Sequence, residues 1–306
     1  MIYVLSFTPS LDRTVTCDRF DPGMTNRVRP LREDLGGKGV NCALTLLSLG
    51  GEVTLCGADY EGRVRRELEE KLPLLLTESG LPLRCNLKIF DRAEKRTVEV
   101  NELSPALPAE VTDRIRNGLL ALLKKGDILV LCGSLPEGAP AGTYRDLCVS
   151  AKEKGAAAVA DCSGDALARA VTAGPDLIKP NRSEFEALTR SLGLPLPGRD
   201  RESLSLAAKE LCEKTGTGRV LLSLGKDGAL LATRESVLFC AAPDVTVRGD
   251  IGAGDAMTAA AALCLSRGED GSVLLRTASA AAGAVLEKEG TRPPEPGDIL
   301  RILKKM

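Results

Sequence analysis

The chain has 306 residues, enough to bury a core as one large α/β domain or two average ones, and its 41 basic and 42 acidic residues leave a net charge of −1. With no long run of one charge and no apolar stretch of membrane-spanning character, the composition argues against nucleic acid and membrane as bulk partners. Histidine is absent, which removes Ser-His-Asp triads, Cys-His pairs, HExxH zinc sites and phosphohistidine together, so any general base is a carboxylate, Lys, Cys or Tyr.

The ten cysteines are scattered without a C-x-x-C pair, which predicts reduced thiols in a soluble, cytoplasmic protein. In chain order, IYVLSF is a short apolar run rich in β-branched and aromatic residues, ended by Thr8-Pro9, and predicts a buried first strand. Thr14–Cys17 and Arg27–Leu31 are strand-like but carry charge, unlike core strands. From Gly39, VNCALTLLSLGG has helical spacing and ends in glycine, and EVTLCGAD predicts the next strand. Arg84–Phe90 and Lys95–Asn101 alternate around the polar turn Asp91–Glu94, the pattern of a hairpin. DILVLCGS, AAAVADCS, DLIKPN and RVLLSLG then follow with helical segments between them, as parallel strands buried on both faces would. The predicted fold is α/β: a doubly wound, mostly parallel sheet flanked by helices, formed by 1–12, 35–83 and 104–306. A small β lid, 13–34 and 84–103, is inserted in it. Ligands of such sheets bind at the C-terminal strand ends.

The stretch Gly249 to Ala260, GDIGAGDAMTAA, places a carboxylate among glycines at the start of an apolar helix. Gly252, Ala253 and Gly254 let backbone N–H groups approach a ligand, and the helix dipole adds its positive end, which suits a phosphate. Asp255 stands where a hydroxyl attacking that phosphate would lose its proton. Taken alone, the stretch reads equally well as an ordinary glycine loop with Asp255 as a helix cap. GGKGVN also precedes a helix: Gly37 permits close backbone approach, while Lys38 and Asn41 offer a cation and an amide to a polyol phosphate. A glycine hinge with a solvated lysine is the plain alternative.

Asp12 in SFTPSLD and Ser134 in GSLP each follow a strand and can hydrogen-bond sugar hydroxyls, although a lone Asp there is also a common turn residue. In KPNRSE, Asn181 and Glu184 share a helical face and offer the oxygen donors that a hydrated magnesium ion takes; the same spacing is a capping box. Ser223-Leu224-Gly225-Lys226-Asp227-Gly228 closes another strand as either a nucleotide loop or a hairpin turn.

In order and spacing, TPSLD, GGKGVN, GSLPEG, KPNRSE, SLGKDG and GAGDA resemble the ribokinase-like (PfkB) carbohydrate kinases along essentially the whole chain. The resemblance is to the branch of 1-phosphofructokinase, tagatose-6-phosphate kinase and the minor 6-phosphofructokinase. It implies a doubly wound domain whose small β lid closes over the sugar and mediates a homodimer. It also implies ATP and Mg2+, and phosphorylation of a ketohexose phosphate. Fructose 1-phosphate going to fructose 1,6-bisphosphate leads; tagatose 6-phosphate and fructose 6-phosphate are the alternatives. By that resemblance Asp255 matches the catalytic base and Gly252, Ala253 and Gly254 the anion hole. Asn181 and Glu184 match the pair that organises magnesium through water, while Lys179, Ser223, Gly225, Gly228 and Gly254 match the nucleotide site, with Gly283 near adenine. Asp12, Gly37, Lys38, Asn41 and Ser134 match substrate contacts. Arg84 in LRCNLKI matches an arginine whose guanidinium fork suits a substrate phosphate.

The chain departs from the family pattern at Thr8, at Gly249-Asp250 and at Ser104. Asp250 is the odd one, because a carboxylate beside an anion hole repels phosphate unless it faces away or binds a cation. Asp161, after AAAVA, is a further candidate to support magnesium from behind its ligands. A dehydrogenase would share the fold type, but no G-x-G-x-x-G follows the first strand. A sugar-phosphate sensor without catalysis is the more distant alternative.

Overall fold

A computed structural model describes every residue except Asp250, Glu289 and Thr291. The chain opens with β1 (Ile2–Ser6), β2 (Ser10–Cys17), β3 (Arg29–Gly36), α1 (Lys38–Ser48), β4 (Val53–Asp59), α2 (Arg63–Leu68) and β5 (Leu74–Glu78). It continues through β6 (Cys85–Asp91), β7 (Arg96–Asn101), α3 (Ala109–Leu122), β8 (Ile128–Cys132), α4 (Thr143–Glu153), β9 (Ala157–Asp161), α5 (Gly164–Ala170) and β10 (Leu177–Ile178). The last third holds α6 (Arg182–Ser191), α7 (Arg201–Thr215), β11 (Val220–Ser223), β12 (Ala229–Ala232), β13 (Val237–Cys240), α8 (Ala253–Ser266), α9 (Gly271–Leu286) and α10 (Pro296–Leu303). Among the described residues no helix is long and apolar enough to cross a membrane.

Nine strands form one sheet in the order β13-β12-β11-β10-β9-β8-β1-β4-β5, parallel throughout except for the pairings β11–β12 and β12–β13. The chain winds outward from β1 through β4 and β5, returns to the other side of β1 at β8, and winds outward again. Strand order therefore reverses between β1 and β8, which opens a crevice at their carboxyl ends. β1 and β8 are buried along their whole length because both faces are covered. Ile2 and Val4 face the cluster shared with α1, α8, α9 and α10, while Tyr3 and Leu5 face the one shared with α3 to α7. That two-sided burial is why these strands are continuous apolar runs. α8 is buried at every residue from Asp255 to Cys264, and its alanines let α1 and α9 pack close against it.

The small sheet has the order β3-β2-β6-β7, two hairpins joined by the parallel pair β2–β6. Its period-two pattern divides it. Val15 and Ile89 pack with Phe20, Leu87 and Val98 on one face, and the polar residues Asp12, Asn86 and Lys88 share the other. The sheet begins at Ser10, so Asp12 stands on it and not on the large domain whose first segment was expected to end there. The strand expected at Arg27–Leu31 lies at Arg29–Gly36 and runs into the GGKG motif. β5, β12 and β13, absent from the sequence reading, extend the large sheet at its two edges.

Candidate active site

Gly252, at φ 83, caps the start of α8 in a left-handed conformation open to glycine, with no side-chain cap bond. Asp255, in the first turn, does not cap the helix: its Oδ2 accepts a hydrogen bond from Asn41 Nδ2 at 2.8 Å. The two residues lie 214 positions apart in sequence. Asp255 is 8% exposed. Its burial, and then the nearby charge of Asp161, push its carboxyl up from the ordinary aspartate value to about 6 against the opposing pull of Asn41, Lys38 and Lys179. Such a group is ionised at neutral pH yet far more basic than a solvated carboxylate, which suits proton abstraction. Asn41 Oδ1 is buried without a hydrogen-bond partner, an acceptor beside the base that a ligand hydroxyl can satisfy. Asp250 lies outside the described residues.

Two ammonium groups flank the start of α8. Lys38 Nζ donates to Asp161 Oδ1 at 3.0 Å and lies 3.9 Å from Glu184. Lys179 Nζ lies 3.5 Å from the same Asp161 oxygen, and a Cβ added to Gly254 would come within 3.4 Å of it. Asp161 Oδ2 accepts from the Thr258 hydroxyl at 2.6 Å. Burial alone would raise the Asp161 carboxyl, but Lys179, Lys38 and Thr258 outweigh it and hold the group below the ordinary value. Burial would likewise lower Lys38, but Asp161 and Glu184 lift it above the ordinary lysine value. Lys38 therefore stays charged beside the glycine-lined helix start, where a phosphate would meet it, the nearby Lys179 side chain and the helix dipole.

Asn181 and Glu184 form a reciprocal capping box at the start of α6. Asn181 Oδ1 accepts from Glu184 N at 2.9 Å and from Ser183 Oγ at 2.8 Å, and Glu184 Oε2 accepts from Asn181 N at 2.9 Å. The cap and the candidate metal pair are thus the same residues, and Glu184 Oε1, 3.9 Å from Lys38, is the oxygen outside the capping box. Among the described residues no cluster of three or more His, Cys, Asp or Glu side chains is arranged to hold a bare ion. The oxygen donors fit magnesium that keeps most of its own water.

Gly37, at φ 97, is the joint between β3 and α1; a Cβ there would meet Pro9 Cα at 3.0 Å. On the small sheet Asp12 accepts from Lys88 Nζ at 2.9 Å, Asn86 Nδ2 at 2.9 Å and Ser10 Oγ at 2.9 Å. Neither Asn86 nor Lys88 was anticipated, although the alternation Asn86-x-Lys88 beside Ser10-x-Asp12 marks a shared polar face. Arg84 donates to the carbonyls of Pro9, Thr8 and Glu102 and to Asn86 Oδ1. Only one hydrogen, on Nη2, is left over, so bidentate capture of a phosphate requires one of these bonds to break. Ser134 is exposed at the end of β8, its carbonyl and hydroxyl both within reach of the Thr8 hydroxyl.

A cavity of about 1350 Å3 adjoins the start of α8. Asn181, Ser223, Gly225, Gly228, Gly254 and Gly283 line it. SLGKDG is both a hairpin turn, between β11 and β12, and part of the cavity wall. Gly228, at φ 101, has no room for a Cβ, which would lie 2.1 Å from the Cys240 carbonyl. Gly283 lets the segment after β13 close on α9, since a Cβ would meet Pro243 Cγ at 2.5 Å. Lys179 does not line the cavity; it supports Gly254 from beneath.

Residues 87–297 match the family described as pfkB family carbohydrate kinase. The 1-phosphofructokinase of Rhodobacter capsulatus is 34% identical over 309 residues, which cover 99% of this chain and 96% of that protein. ATP-dependent 6-phosphofructokinase isozyme 2 of Escherichia coli is 31% identical over 308 residues, 98% of this chain and 97% of its own. The crystal structure of phosphofructokinase-2 from Escherichia coli in complex with substrates and products has a TM-score of 0.90 at 28% identity, covering 99% of this chain and 98% of that one. With a family match over most of its length and relatives this similar from end to end, the chain belongs to the pfkB family of carbohydrate kinases.

Proposed function

We propose that the protein transfers phosphate from ATP to a ketohexose phosphate, converting fructose 1-phosphate to fructose 1,6-bisphosphate. The observation that carries the reading is the buried Asp255–Asn41 pair at a glycine-lined helix start, with a large cavity lined by Ala253 and Gly254 of that start and with Asp12 of the small sheet's polar face against Gly36, just before α1. The Rhodobacter capsulatus relative, named 1-phosphofructokinase, supports fructose 1-phosphate as the acceptor.

The sugar phosphate lies between the small sheet, acting as a lid, and the C-terminal strand ends. Asp12, Asn41, Ser134 and the backbone at Gly37 meet its hydroxyls, while Lys38 and Arg84 meet its phosphate. Asp255 takes the proton of the attacking hydroxyl as that oxygen bonds to the γ-phosphorus and the bond to the bridging oxygen of ADP breaks. Backbone N–H groups at Gly252, Ala253 and Gly254, backed by the Lys179 ammonium, stabilise the charge on the transferring group. Asn181 and Glu184 would hold magnesium through its water shell, and the ion would supply neutralisation of phosphate charge. Ser223, Gly225, Gly228 and Gly283 shape the ATP cavity.

An ADP-release assay with fructose 1-phosphate, fructose 6-phosphate and tagatose 6-phosphate tests this directly. The highest kcat/KM is expected with fructose 1-phosphate; a preference for either of the others reassigns the substrate. Binding of these sugars without ADP release from any of them would make the protein a sensor and overturn the enzyme reading.

Two copies pair through their lids. Met24, Leu31, Val100 and Leu103 are exposed apolar residues of the small sheet and the loops beside it, a concentration that water does not favour. Light scattering should show a dimer for the wild type and a monomer for the double variant Leu31→Glu, Val100→Glu. A monomeric wild type rejects the pairing.

A further inference from the structure

We propose that Lys38 competes with magnesium for Glu184 and thereby couples binding of the metal to binding of the sugar phosphate, an inference that rests on the reading of Asn181 and Glu184 as the magnesium pair. Lys38 is the first residue of α1. Its stem starts on the substrate side: a Cβ added to Gly133, next to Ser134, would lie 3.9 Å from Lys38 Cβ. Its ammonium ends on the metal side, 3.0 Å from Asp161 Oδ1 and 3.9 Å from Glu184 Oε1. The capping box already engages Glu184 Oε2, which accepts from Asn181 N, and Asn181 Oδ1, which accepts from Ser183 Oγ and Glu184 N. The oxygen best placed to accept from the water shell of a metal is therefore the one that the ammonium faces, and a divalent cation there repels it.

Asp161 shows which ammonium is free to move. Its Oδ1 is shared by Lys38 at 3.0 Å and Lys179 at 3.5 Å, while its Oδ2 accepts from the Thr258 hydroxyl at 2.6 Å. The Lys179 side chain is 5% exposed and that of Lys38 is 35% exposed. Parting a buried ammonium from its carboxylate is costly, so Lys179 stays. Lys38 reaches its partners on a flexible stem and is open to solvent, so it can turn. Asp161 then keeps Lys179 and Thr258 as partners. The Lys38 ammonium thus has two anionic destinations, the Asp161–Glu184 pair and the phosphate of the substrate. Magnesium at Glu184 drives it to the phosphate, and a phosphate that draws it away clears Glu184 for magnesium. By linkage each ligand tightens the other by the same factor.

Titration of the full-length protein with Mn2+, whose free form is counted by electron paramagnetic resonance, tests the coupling without nucleotide or turnover. In the wild type, saturating fructose 1-phosphate should tighten Mn2+ binding roughly fivefold, and Mn2+ should tighten the sugar phosphate equally. Lys38→Met should bind Mn2+ about tenfold more tightly than the wild type when no sugar phosphate is present, as loss of a neighbouring cation implies. Fructose 1-phosphate should no longer change that affinity. Equal Mn2+ affinity in the two proteins overturns the competition, and coupling that survives in Lys38→Met overturns the exchange. Absence of coupling in the wild type with fructose 1-phosphate, fructose 6-phosphate and tagatose 6-phosphate alike also overturns it. Glu184→Gln, which keeps an oxygen for the capping box and loses the charge, should weaken Mn2+ binding. Binding that is unaffected by Glu184→Gln, or absent from both wild type and Lys38→Met, would instead remove the magnesium reading on which the inference rests.

Discussion

Replacing Asp255 with Asn should lower kcat by roughly 10²- to 10⁴-fold, the usual worth of a positioned general base, while the Kd for ATP stays within about twofold. Asparagine keeps the shape of the side chain and an oxygen that can accept the Asn41 amide hydrogen bond, so the glycine-lined helix start and both ammoniums are left in place. Only the capacity to take a proton is removed. Single-turnover rates separate this loss from slow product release. Turnover within about tenfold of wild type would sink the assignment of Asp255 as the base.

The same substitution should stabilise the protein at neutral pH and leave it unchanged in acid. The folded Asp255 carboxyl titrates at about 6 against an ordinary value of 3.8, chiefly through burial and then through the charge of Asp161. Because the folded value lies above the unfolded one, the unfolded chain ionises first. The stability contributed by the protonated form is complete below pH 3.8 and is lost as pH rises through about 6. At pH 8 the wild type therefore carries a deficit of roughly 3 kcal/mol that the variant lacks. Urea midpoints of both proteins at pH 4 and pH 8 check this; a variant advantage of equal size at the two pH values would show that the carboxyl is not strained by its burial. In the wild type, kcat/KM should fall on the acid side as Asp255 takes up a proton near pH 6. Activity and stability oppose each other at this residue, as expected where a base is made strong by burying it.

Legibility in the sequence follows how local the cause of each feature is. β1 and β8 read plainly as strands because burial on both faces leaves no polar interruption. β12 and β13 span four residues each and carry the antiparallel edge, too short for a period to show. The glycine runs before α1 and α8 marked helix starts because the positive φ at Gly37 and Gly252 is a local demand. Arg84 was legible only in part: its identity suggests a phosphate fork, but three of its hydrogens are engaged by backbone carbonyls where β1 crosses to the small sheet, contacts that no local pattern announces. Lys88, Asn86 and Thr258 escaped notice because each matters through a partner far along the chain.

The sequence by itself determined the doubly wound order of elements, the absence of histidine chemistry, and the residue that acts as the candidate base, since these depend on composition, period and short glycine motifs. Only the tertiary structure decided which charges meet. Asp161 is held ionised by Lys38 and Lys179, while Asp255, buried near that same charge, is driven upward. Two carboxylates of one residue type thus acquire opposite proton affinities, because burial and neighbouring charge set that affinity, and both come from groups that folding alone brings together.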